Sequence, residues 1–242
     1  MTMNKDLQTY WVNTQKPWGK LFYQVVWDQL PPVQAGKVLD FGSGFGLTAA
    51  HLSEDNQVVA VEPNGEMAEN RVGPGNYQQI VGDGKRLAEL ERGSFDLIVC
   101  HNVLEYIPEH SDVLEEFSRL LKPGWYLSIV KHNHPGRIMQ KVVFENALEE
   151  AISLLKGGDL SVLNFGTVRY YDADDLLRQM PEMTLEKSFG VRTFWALQQD
   201  NAIKEQPEWQ EKMFRLERLV YEEDPYRQIA FFHHLLLRKK DR

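Results

Sequence analysis

The 242-residue sequence predicts a doubly wound α/β fold whose core is a seven-stranded, mainly parallel β-sheet. From Lys37 onward, apolar runs of strand length alternate with helical patterns, the order that a parallel sheet with helices on both faces requires. Turn-rich joints separate these segments. The length and the 43% hydrophobic content suffice for one sizeable core, so we expect a single domain over residues 1–242.

Seven strands are predicted in chain order, each as a short apolar run between turn signals, at residues 37–41, 57–61, 77–81, 95–101, 125–131, 185–194 and 229–238. The best-defined helix covers residues 112–121, because its apolar side chains recur at three-to-four spacing. Ser111 is placed to cap the N-terminus of this helix, and Lys122-Pro123-Gly124 is expected to end it.

Two helical patterns fall outside this alternation. Residues 137–156 carry an apolar face and stop at a glycine pair, and residues 208–222 do the same before Asp224-Pro225. We expect the segments 132–184 and 195–228 that contain them to be helical insertions over the carboxyl edge of the sheet, where ligands bind in open α/β folds. Core helices or a dimer surface would show the same patterns.

Composition excludes several classes of protein. No stretch approaches the roughly 20 apolar residues of a membrane-spanning helix, and the N-terminus has no apolar signal-peptide core. We therefore expect a cytoplasmic protein without a membrane partner, and the single cysteine, Cys100, agrees with a reducing compartment. The formal net charge of -8 argues against non-specific nucleic-acid binding but leaves room for a local basic groove. Nothing in the sequence indicates the oligomeric state.

A glycine-rich turn, Gly42-Ser43-Gly44-Phe45-Gly46, follows the first predicted strand and opens the first helix. Glycines allow a tight turn and close approach of a ligand, and free N–H groups at a helix N-terminus favour an anionic or polar ligand. Dinucleotide enzymes share such turns, and many proteins use them without a ligand. Gly42, Ser43 and Gly44 alone therefore leave the ligand open.

Carboxylates beside this turn narrow the choice. Glu62 ends the second strand about 20 residues later, where an acid can accept both ribose hydroxyls of an adenosine. Asp40, at the mouth of the turn, would repel a pyrophosphate but suits the ammonium and sulfonium charges of S-adenosylmethionine. After the third strand, Asp83 could accept from the adenine amino group while Gly84 leaves room for the ring, although an ordinary turn would look the same.

These motifs, together with residues 95–107 and Lys122-Pro123-Gly124, occur in an order that resembles the class I S-adenosylmethionine-dependent methyltransferases. The resemblance covers about residues 36–131 and implies that this segment is the cofactor-binding core, with S-adenosyl-L-methionine as the cofactor. It further implies which residues surround the cofactor, namely Gly42, Ser43, Gly44, Glu62, Asp83, Gly84 and His101. For His101, at the end of the fourth strand, capping a helix is the alternative role.

The chemistry of methyl transfer requires few special residues. It is an in-line displacement, so the protein must align the nucleophile and exclude water, and a base is needed only for a protonated acceptor. The sequence shows no serine, histidine and carboxylate arrangement, and we assign no catalytic residue. His132-Asn133-His134 and His233-His234 lack the carboxylates or cysteines of a metal site, so no metal is expected.

The C-terminal third resembles a narrower family, the bacterial tRNA carboxymethoxyuridine methyltransferases. The resemblance rests on residues 190–194, 216–218 and 224–226, together with residues 27–30, His101 and residues 103–105. It implies a tRNA partner and methyl transfer to a modified wobble uridine, with the carboxylate as the family's acceptor and a hydroxyl oxygen as the alternative. Arg192 is the candidate for binding that carboxylate through two parallel hydrogen bonds, with a surface salt bridge as the alternative. Phe22 departs from the family, which tends to carry a basic residue in that region.

Other residues and functions stay open. Phosphate contacts could come from basic side chains at Lys131, His132, Arg137, Lys141 and residues 238–240, which would otherwise form a solvated face. A small-molecule O- or N-methyltransferase would use the same core, with an apolar pocket lined by Trp18, Tyr170, Tyr171 and Trp195. A non-catalytic cofactor-binding protein is the alternative of another class, and detection of any methylated product would exclude it.

Overall fold

Two sheets are present in the computed structural model, which describes residues 3–73, 76–158, 160–162 and 166–241. Their strands are β1 (Lys37–Phe41), β2 (Gln57–Glu62), β3 (Gln78–Val81), β4 (Phe95–His101), β5 (Leu121–His132), β6 (Leu160–Val162), β7 (Gly166–Val168), β8 (Met183–Val191) and β9 (Phe232–Lys239). The central sheet has the order β3-β2-β1-β4-β5-β9-β8, and β6 pairs with β7. Strands β1 to β5 are parallel, whereas β9 runs antiparallel to β5 and β8. The predicted seven-stranded, mainly parallel sheet is confirmed.

Helices cover both faces of this sheet, as the doubly wound prediction requires. They are α1 (Lys5–Gln15), α2 (Pro17–Asp28), α3 (Leu47–Leu52), α4 (Gly65–Glu69), α5 (Ser111–Leu120), α6 (His134–Met139), α7 (Leu148–Leu155), α8 (Ala173–Gln179) and α9 (Pro207–Val220). Successive side chains of a strand point to opposite faces. In β1, Leu39 therefore packs into a cluster with Phe117 of α5, and Val38 packs into another with Ala49 of α3.

The joint between α5 and β5 differs from the prediction. The helix ends at Leu120, and β5 begins at once at Leu121 rather than at residue 125. Pro123 lies inside the strand, where the pairing with β4 shifts between Phe95 and Leu97. Because proline cannot donate a ladder hydrogen bond, it is tolerated at such an irregularity.

The first insertion is more broken than predicted. Its expected helix over residues 137–156 is divided into α6, a π-helical turn at Gln140–Phe144 and α7. The break falls next to Asn146, whose φ of 53° is left-handed and ends the regular helix. The hairpin of β6 and β7 was not predicted. In the second insertion, α9 agrees with the helix predicted at residues 208–222.

The N-terminal helices were not predicted, yet they cover the carboxyl edge of the sheet. Helix α1 places Leu7 and Trp11 against Phe45 of the glycine-rich turn and Met67 of α4. Helix α2 buries Phe22 and neighbouring apolar side chains in a cluster with the ends of β8 and β9. Among the described residues, no helix is long and apolar enough to cross a lipid bilayer.

Candidate active site

A cavity of about 510 Å³ lies at the carboxyl edge of the sheet, where the strand order reverses between β1 and β4. Its wall includes residues from the turn after β1, the ends of β2, β4 and β5, the turn after β8, the start of β9, and helices α1 and α2. In open α/β sheets, ligands bind at this topological position. Of the described residues in the two predicted insertions, only His132 lines the cavity, so the role of the insertions as its cover stays a prediction.

The glycine-rich turn forms one wall of the cavity. Gly42, Gly44 and Gly46 have φ values of 75°, 56° and 72°, which favour glycine. A Cβ atom at Gly42 would overlap the side chain of Val103, so the turn can close only without a side chain there. Ser43 adds a buried hydroxyl without a protein partner. The turn thus offers a close backbone approach and a free polar group to a ligand.

Two carboxylates line the cavity beside this turn. Two backbone N–H groups fix the orientation of Glu62. Its Oε2 accepts from the Gly44 N–H at 2.7 Å, and its Oε1 accepts from the Asn64 N–H at 2.8 Å. Asp40 is 4% exposed, and its Oδ2 has no protein partner. Burial raises the pKa of Asp40 to about 7, and the charge of nearby Glu62 contributes to the increase. A hydrogen bond from the backbone N–H of Ala49 acts in the opposite direction. A bound cation would satisfy this carboxylate and stabilise its charge.

His101 lines the cavity between the glycine-rich turn and β5. Its Nε2 lies 2.8 Å from the Ser128 hydroxyl, behind the cavity wall. Burial lowers the pKa of His101 to about 3, so the imidazole is neutral at physiological pH. No helix is capped by His101, since the following turn at Leu104–Tyr106 begins after Val103 without a side-chain cap.

Asp83 and Gly84 do not line the cavity. Asp83 is exposed and caps the short helical turn Gly84–Glu89 by accepting from the Lys85 N–H at 3.0 Å. Both residues nevertheless lie at the carboxyl edge of the sheet, as the cavity does. They follow β3, whose last residue, Val81, is paired with Glu62 at the end of β2. Their contact with an adenine stays a prediction.

Arg192 lines the opposite end of the cavity from the glycine-rich turn, just after β8. Its φ of 62° is left-handed, and its guanidinium stacks on Phe231 at 5.0 Å and on Phe232 at 5.7 Å. The Nε atom is buried without a partner. Burial lowers its pKa to about 10, which leaves the group cationic at neutral pH. The predicted alternative of a surface salt bridge does not occur among the described residues.

Glu217 of α9 accounts for the conformation of this turn. Its Oε2 accepts from the Thr193 N–H at 2.8 Å, and its Oε1 accepts from Phe194 and Trp195 at 2.9 and 3.0 Å. Three backbone donors that follow Arg192 are therefore satisfied by one buried carboxylate. The charge of Glu217 also raises the pKa of the nearby Arg192 against the effect of burial, although the two side chains form no ion pair.

Sequence reasoning missed several polar residues of the cavity. His132, predicted only as a phosphate contact, accepts or donates a 3.1 Å hydrogen bond with the Tyr106 hydroxyl. Burial and the nearby cations Arg137, Arg192 and Lys131 lower the pKa of His132 to about 3.

Other missed residues come from two places. Asn102 follows β4 with a left-handed φ of 56° and a buried Oδ1 without a partner. Tyr10 and Tyr23 come from the unpredicted helices α1 and α2, whose aromatic spacing was the available signal.

Some predicted roles are wrong. Of the proposed aromatic pocket, Trp18 lines the cavity, but Tyr170 and Tyr171 line a second cavity, and Trp195 is buried against Trp209. The basic residues 238–240 lie at the far edge of the sheet, because β9 is antiparallel.

The charges of the basic candidates are largely occupied by the protein itself. Lys141 is paired with Glu145 and Glu150, and the Lys239 ammonium donates to the backbone oxygens of Ser118 and Leu121. These side chains are not free phosphate contacts. Within the described residues, no group of three or more histidine, cysteine or acidic side chains could hold a metal ion.

Comparisons with known proteins agree with this geometry. Residues 39–129 match the family described as a methyltransferase domain. The chain is 30% identical over 142 residues to the tRNA 5-carboxymethoxyuridine methyltransferase of Escherichia coli (strain K12), covering 53% of this chain and 54% of that protein. It is also 30% identical over 130 residues to a ubiquinone biosynthesis O-methyltransferase of Paracidovorax citrulli, covering 50% and 55%. The chain thus spans about half the length of the curated relatives it matches.

A solved structure extends the likeness of fold to almost the whole chain. An S-adenosylmethionine-dependent methyltransferase from Thermotoga maritima superposes with a TM-score of 0.61 at 20% identity, covering 97% of this chain and 98% of that one. The free Asp40 carboxylate, the anchored Glu62 and the side-chain-free Gly42 turn fit a cationic adenosine cofactor. Residues 39–129 therefore match a methyltransferase domain, for which S-adenosyl-L-methionine is the expected cofactor.

Proposed function

We propose that this protein is a cytoplasmic enzyme that transfers a methyl group from S-adenosyl-L-methionine to a carboxylate oxygen of a modified wobble uridine in tRNA. The observation that carries the acceptor is Arg192, an enclosed cation that faces the cavity and forms no ion pair among the described residues. Removing a charge from water is unfavourable unless a partner replaces the solvent. An anionic group of the acceptor is the partner that this guanidinium lacks.

The surroundings of Arg192 favour an anion further. Arg137 also stacks on Phe231, with its guanidinium 4.7 Å from the ring centroid, and its Nε is buried without a partner. The positive charges of both arginines lower the pKa of His132 beyond the effect of burial. This end of the cavity is therefore electropositive, whereas Asp40 and Glu62 make the cofactor end electronegative.

The residues around the cavity suit an acceptor that is already ionised. When bound, S-adenosyl-L-methionine supplies an electrophilic methyl group. Asp40 would neutralise the positive charge of the cofactor, and Glu62 would orient its ribose. Arg192 would hold the acceptor carboxylate by two parallel hydrogen bonds, aligning one oxygen for in-line attack. His101 and His132, each with a pKa of about 3, are weak bases, which a carboxylate does not need.

The relatives add support from a second direction. The E. coli relative is a tRNA 5-carboxymethoxyuridine methyltransferase, and the substrate in its name has the carboxylate that Arg192 would bind. The matched region is about half of each chain, so the acceptor is inferred from the site and the relative together. The aligned half alone would equally suit a ubiquinone-pathway O-methyltransferase.

A transfer assay tests this proposal directly. Labelled methyl from S-adenosyl-L-methionine is offered to bulk tRNA from cells that lack this gene and to tRNA from the parent strain, followed by nucleoside mass analysis. We expect label only in the deficient tRNA, as a methyl ester of a wobble uridine. No incorporation, in a protein that binds the cofactor normally, would refute the tRNA acceptor.

A small-molecule acceptor is the second candidate, and the apolar lining favours it. Trp18, Phe22 and Phe232 line the cavity together with aromatic hydroxyls of Tyr23 and Tyr106, a surface suited to a planar organic ring. A phenolic acceptor would have to lose a proton, and no strongly basic group faces it. We therefore expect a panel of phenols to give transfer well below that to the deficient tRNA.

A further inference from the structure

A row of buried polar side chains crosses the sheet behind the cavity. His101 Nε2 lies 2.8 Å from the Ser128 Oγ, which lies 2.8 Å from His234 Nε2. His234 Nδ1 lies 2.9 Å from Gln29 Oε1, and the Gln29 amide nitrogen donates to the Gly190 carbonyl oxygen at 3.1 Å. We call His101, Ser128, His234 and Gln29 the polar row. It links the cavity to the C-cap of α2 through β4, β5 and β9.

The polar row lies in an otherwise apolar layer. Ser128 and His234 are both 0% exposed, and Gln29 is 4% exposed. Their neighbours on the same face, two residues along the strands, include Val130, Phe232 and Leu236, all buried hydrophobic residues. Buried polar groups cost stability unless each one finds a partner, and apolar side chains of similar size would avoid that cost. A complete row of partners therefore fixes a specific arrangement of hydrogens.

The positions of the hydrogens in the polar row follow from the Gly190 carbonyl, at the end of the row away from the cavity. The Gly190 carbonyl can only accept, so the Gln29 NH₂ faces it and Gln29 Oε1 faces His234. An amide oxygen also only accepts, so His234 carries its proton on Nδ1. Burial lowers the pKa of His234 well below its usual value, so the ring is neutral and its Nε2 carries a lone pair without a proton. Ser128 must then donate to His234.

The last link reaches the cavity. Because the Ser128 hydroxyl has only one hydrogen and gives it to His234, its oxygen accepts from His101. His101 is therefore protonated on Nε2. The ring is neutral, so Nδ1 is left as a lone pair, and among the described residues Nδ1 has no protein partner.

We propose that Ser128, His234 and Gln29 are positioning residues that hold His101 in the Nε2–H tautomer, so that its Nδ1 accepts a hydrogen bond from an N–H or O–H donor of the molecule bound in the cavity. The geometry of the polar row carries this assignment without reference to turnover. Its use in methyl transfer rests on the proposed function.

The polar row orients His101 and does not conduct a proton. A relay must end on a group that can take up or release a proton, but this row ends on the Gln29 amide and the Gly190 carbonyl. Neither group titrates near neutral pH. A proton taken from a ligand at His101 Nδ1 would therefore stay on the buried ring, where burial opposes the charge. The row supplies a fixed acceptor and not a base.

Nitrogen NMR of the full chain with labelled histidine tests the tautomer. His101 is assigned by loss of its signals in His101→Gln. We expect one pyrrole-type and one pyridine-type nitrogen, with the proton on Nε2 throughout pH 6 to 8. In Gln29→Met, which touches His234 but not His101, and in Ser128→Ala, we expect a mixture of the two tautomers. His233→Phe is the matched control, because His233 lies on the same strand and bonds to the Arg227 oxygen instead.

Two outcomes would overturn the assignment. One is a proton on Nδ1 in the parent protein, and the other is an unchanged single tautomer in both Gln29→Met and Ser128→Ala. Each reading is made without substrate, so it stands apart from the tRNA assay. Ser128→Ala deletes only one oxygen atom and serves as the folding-tolerant variant if Gln29→Met fails to fold.

Binding measurements then identify the donor. We expect Gln29→Met to lose about twofold in affinity, because in a roughly even mixture only the molecules in the Nε2–H tautomer can accept the hydrogen bond. Loss in calorimetric affinity for S-adenosyl-L-methionine assigns the donor to the cofactor, and loss only in KM for the deficient tRNA assigns it to the acceptor. A mixed tautomer with both quantities unchanged would refute the acceptor role of Nδ1.

Discussion

Replacement of Arg192 tests whether acceptor binding can be separated from cofactor binding. It lies after β8, at the other end of the cavity from the glycine-rich turn. We expect Arg192→Ala to lower kcat/KM for the deficient tRNA roughly 10- to 100-fold, since one or two charge-assisted hydrogen bonds are lost. Calorimetric affinity for S-adenosyl-L-methionine should stay within about twofold.

The matched control for this variant is Arg215→Ala, which removes an exposed arginine from α9. It should leave both quantities unchanged. An equal loss of tRNA methylation and of cofactor affinity in Arg192→Ala would count against the role of Arg192 in acceptor binding.

A second prediction about a single residue is that Asp40 makes the affinity for the cofactor depend on pH. With a pKa of about 7 it is partly protonated in the free protein at neutral pH, and a cationic ligand favours its ionised form. Affinity for S-adenosyl-L-methionine should therefore rise from pH 6 to pH 8, by at most about tenfold per pH unit, because one proton leaves. Asp40→Asn should remove this dependence in calorimetry.

Glu105→Gln is the control, because burial raises the pKa of Glu105 to about 7 as well and its side chain does not line the cavity. Both carboxyls hold protons in the folded protein at pH values where the unfolded chain has lost them. Each therefore lowers the free energy of unfolding as the pH rises from about 4 to about 7. An affinity of the unsubstituted protein that does not vary with pH would contradict the role of Asp40.

Helix α9 is the element that sets the turn after β8. Glu217 accepts three buried backbone N–H groups there, so Glu217→Ala should lower the free energy of unfolding by about 3 kcal/mol. Denaturant unfolding measures this loss. Glu211→Ala, an exposed position on the same helix, should change stability by less than about 0.5 kcal/mol. Equal stability of the two variants would mean that α9 does not hold the turn.

The elements show where sequence patterns suffice. Strands β1, β2 and β4 and the glycine-rich turn have local signatures, because buried parallel strands are apolar runs and a tight turn needs glycine at Gly42. The covering helices α1 and α2 have no such link to the site in the sequence. Their placement depends on contacts such as that of Trp11 with Phe45, whose ring centroids are 5.2 Å apart.

The other residues of the candidate site could not be predicted, because they meet only through contacts between distant parts of the chain. Gln29 and His234 are 205 residues apart in the chain, so no local pattern relates them. The sequence suggested Arg192 by resemblance, but its unpaired charge depends on Glu217 being engaged by the backbone. The far-edge position of Arg238 follows from the reversed direction of β9, which apolar alternation does not encode.

At the scale of the whole molecule, the net charge of -8 must be reconciled with the proposed tRNA substrate, which is a polyanion. Lys16 and Lys20 are exposed at the start of α2, next to the cavity-lining Trp18 and Gly19. If they contact tRNA phosphates, Lys16→Ala and Lys20→Ala should each flatten the slope of log affinity against log salt by about 0.7 to 0.9. Lys212→Ala on α9 is the control.

The slope of log affinity against log salt is obtained by measuring tRNA binding at several ionic strengths between low and physiological values. Both lysine variants should weaken binding without changing which nucleoside is methylated, because phosphate contacts position the substrate and do not select the base. A slope that is the same in all four proteins would place the phosphate contacts elsewhere.

The reversed strand β9 has a consequence for how this architecture can diversify. Val191 at the end of β8 is paired with Phe232 at the start of β9, so the chain leaves the sheet and re-enters it at adjacent positions. The distance between Arg192 and Phe232 is thus set by the strand pairing and is independent of the length of chain between them. The segment 193–231 therefore has fixed ends, and Glu217 within it holds the turn next to Arg192. Changes that keep Glu217 can alter the length of this segment, and with it the proposed acceptor preference, without moving those ends.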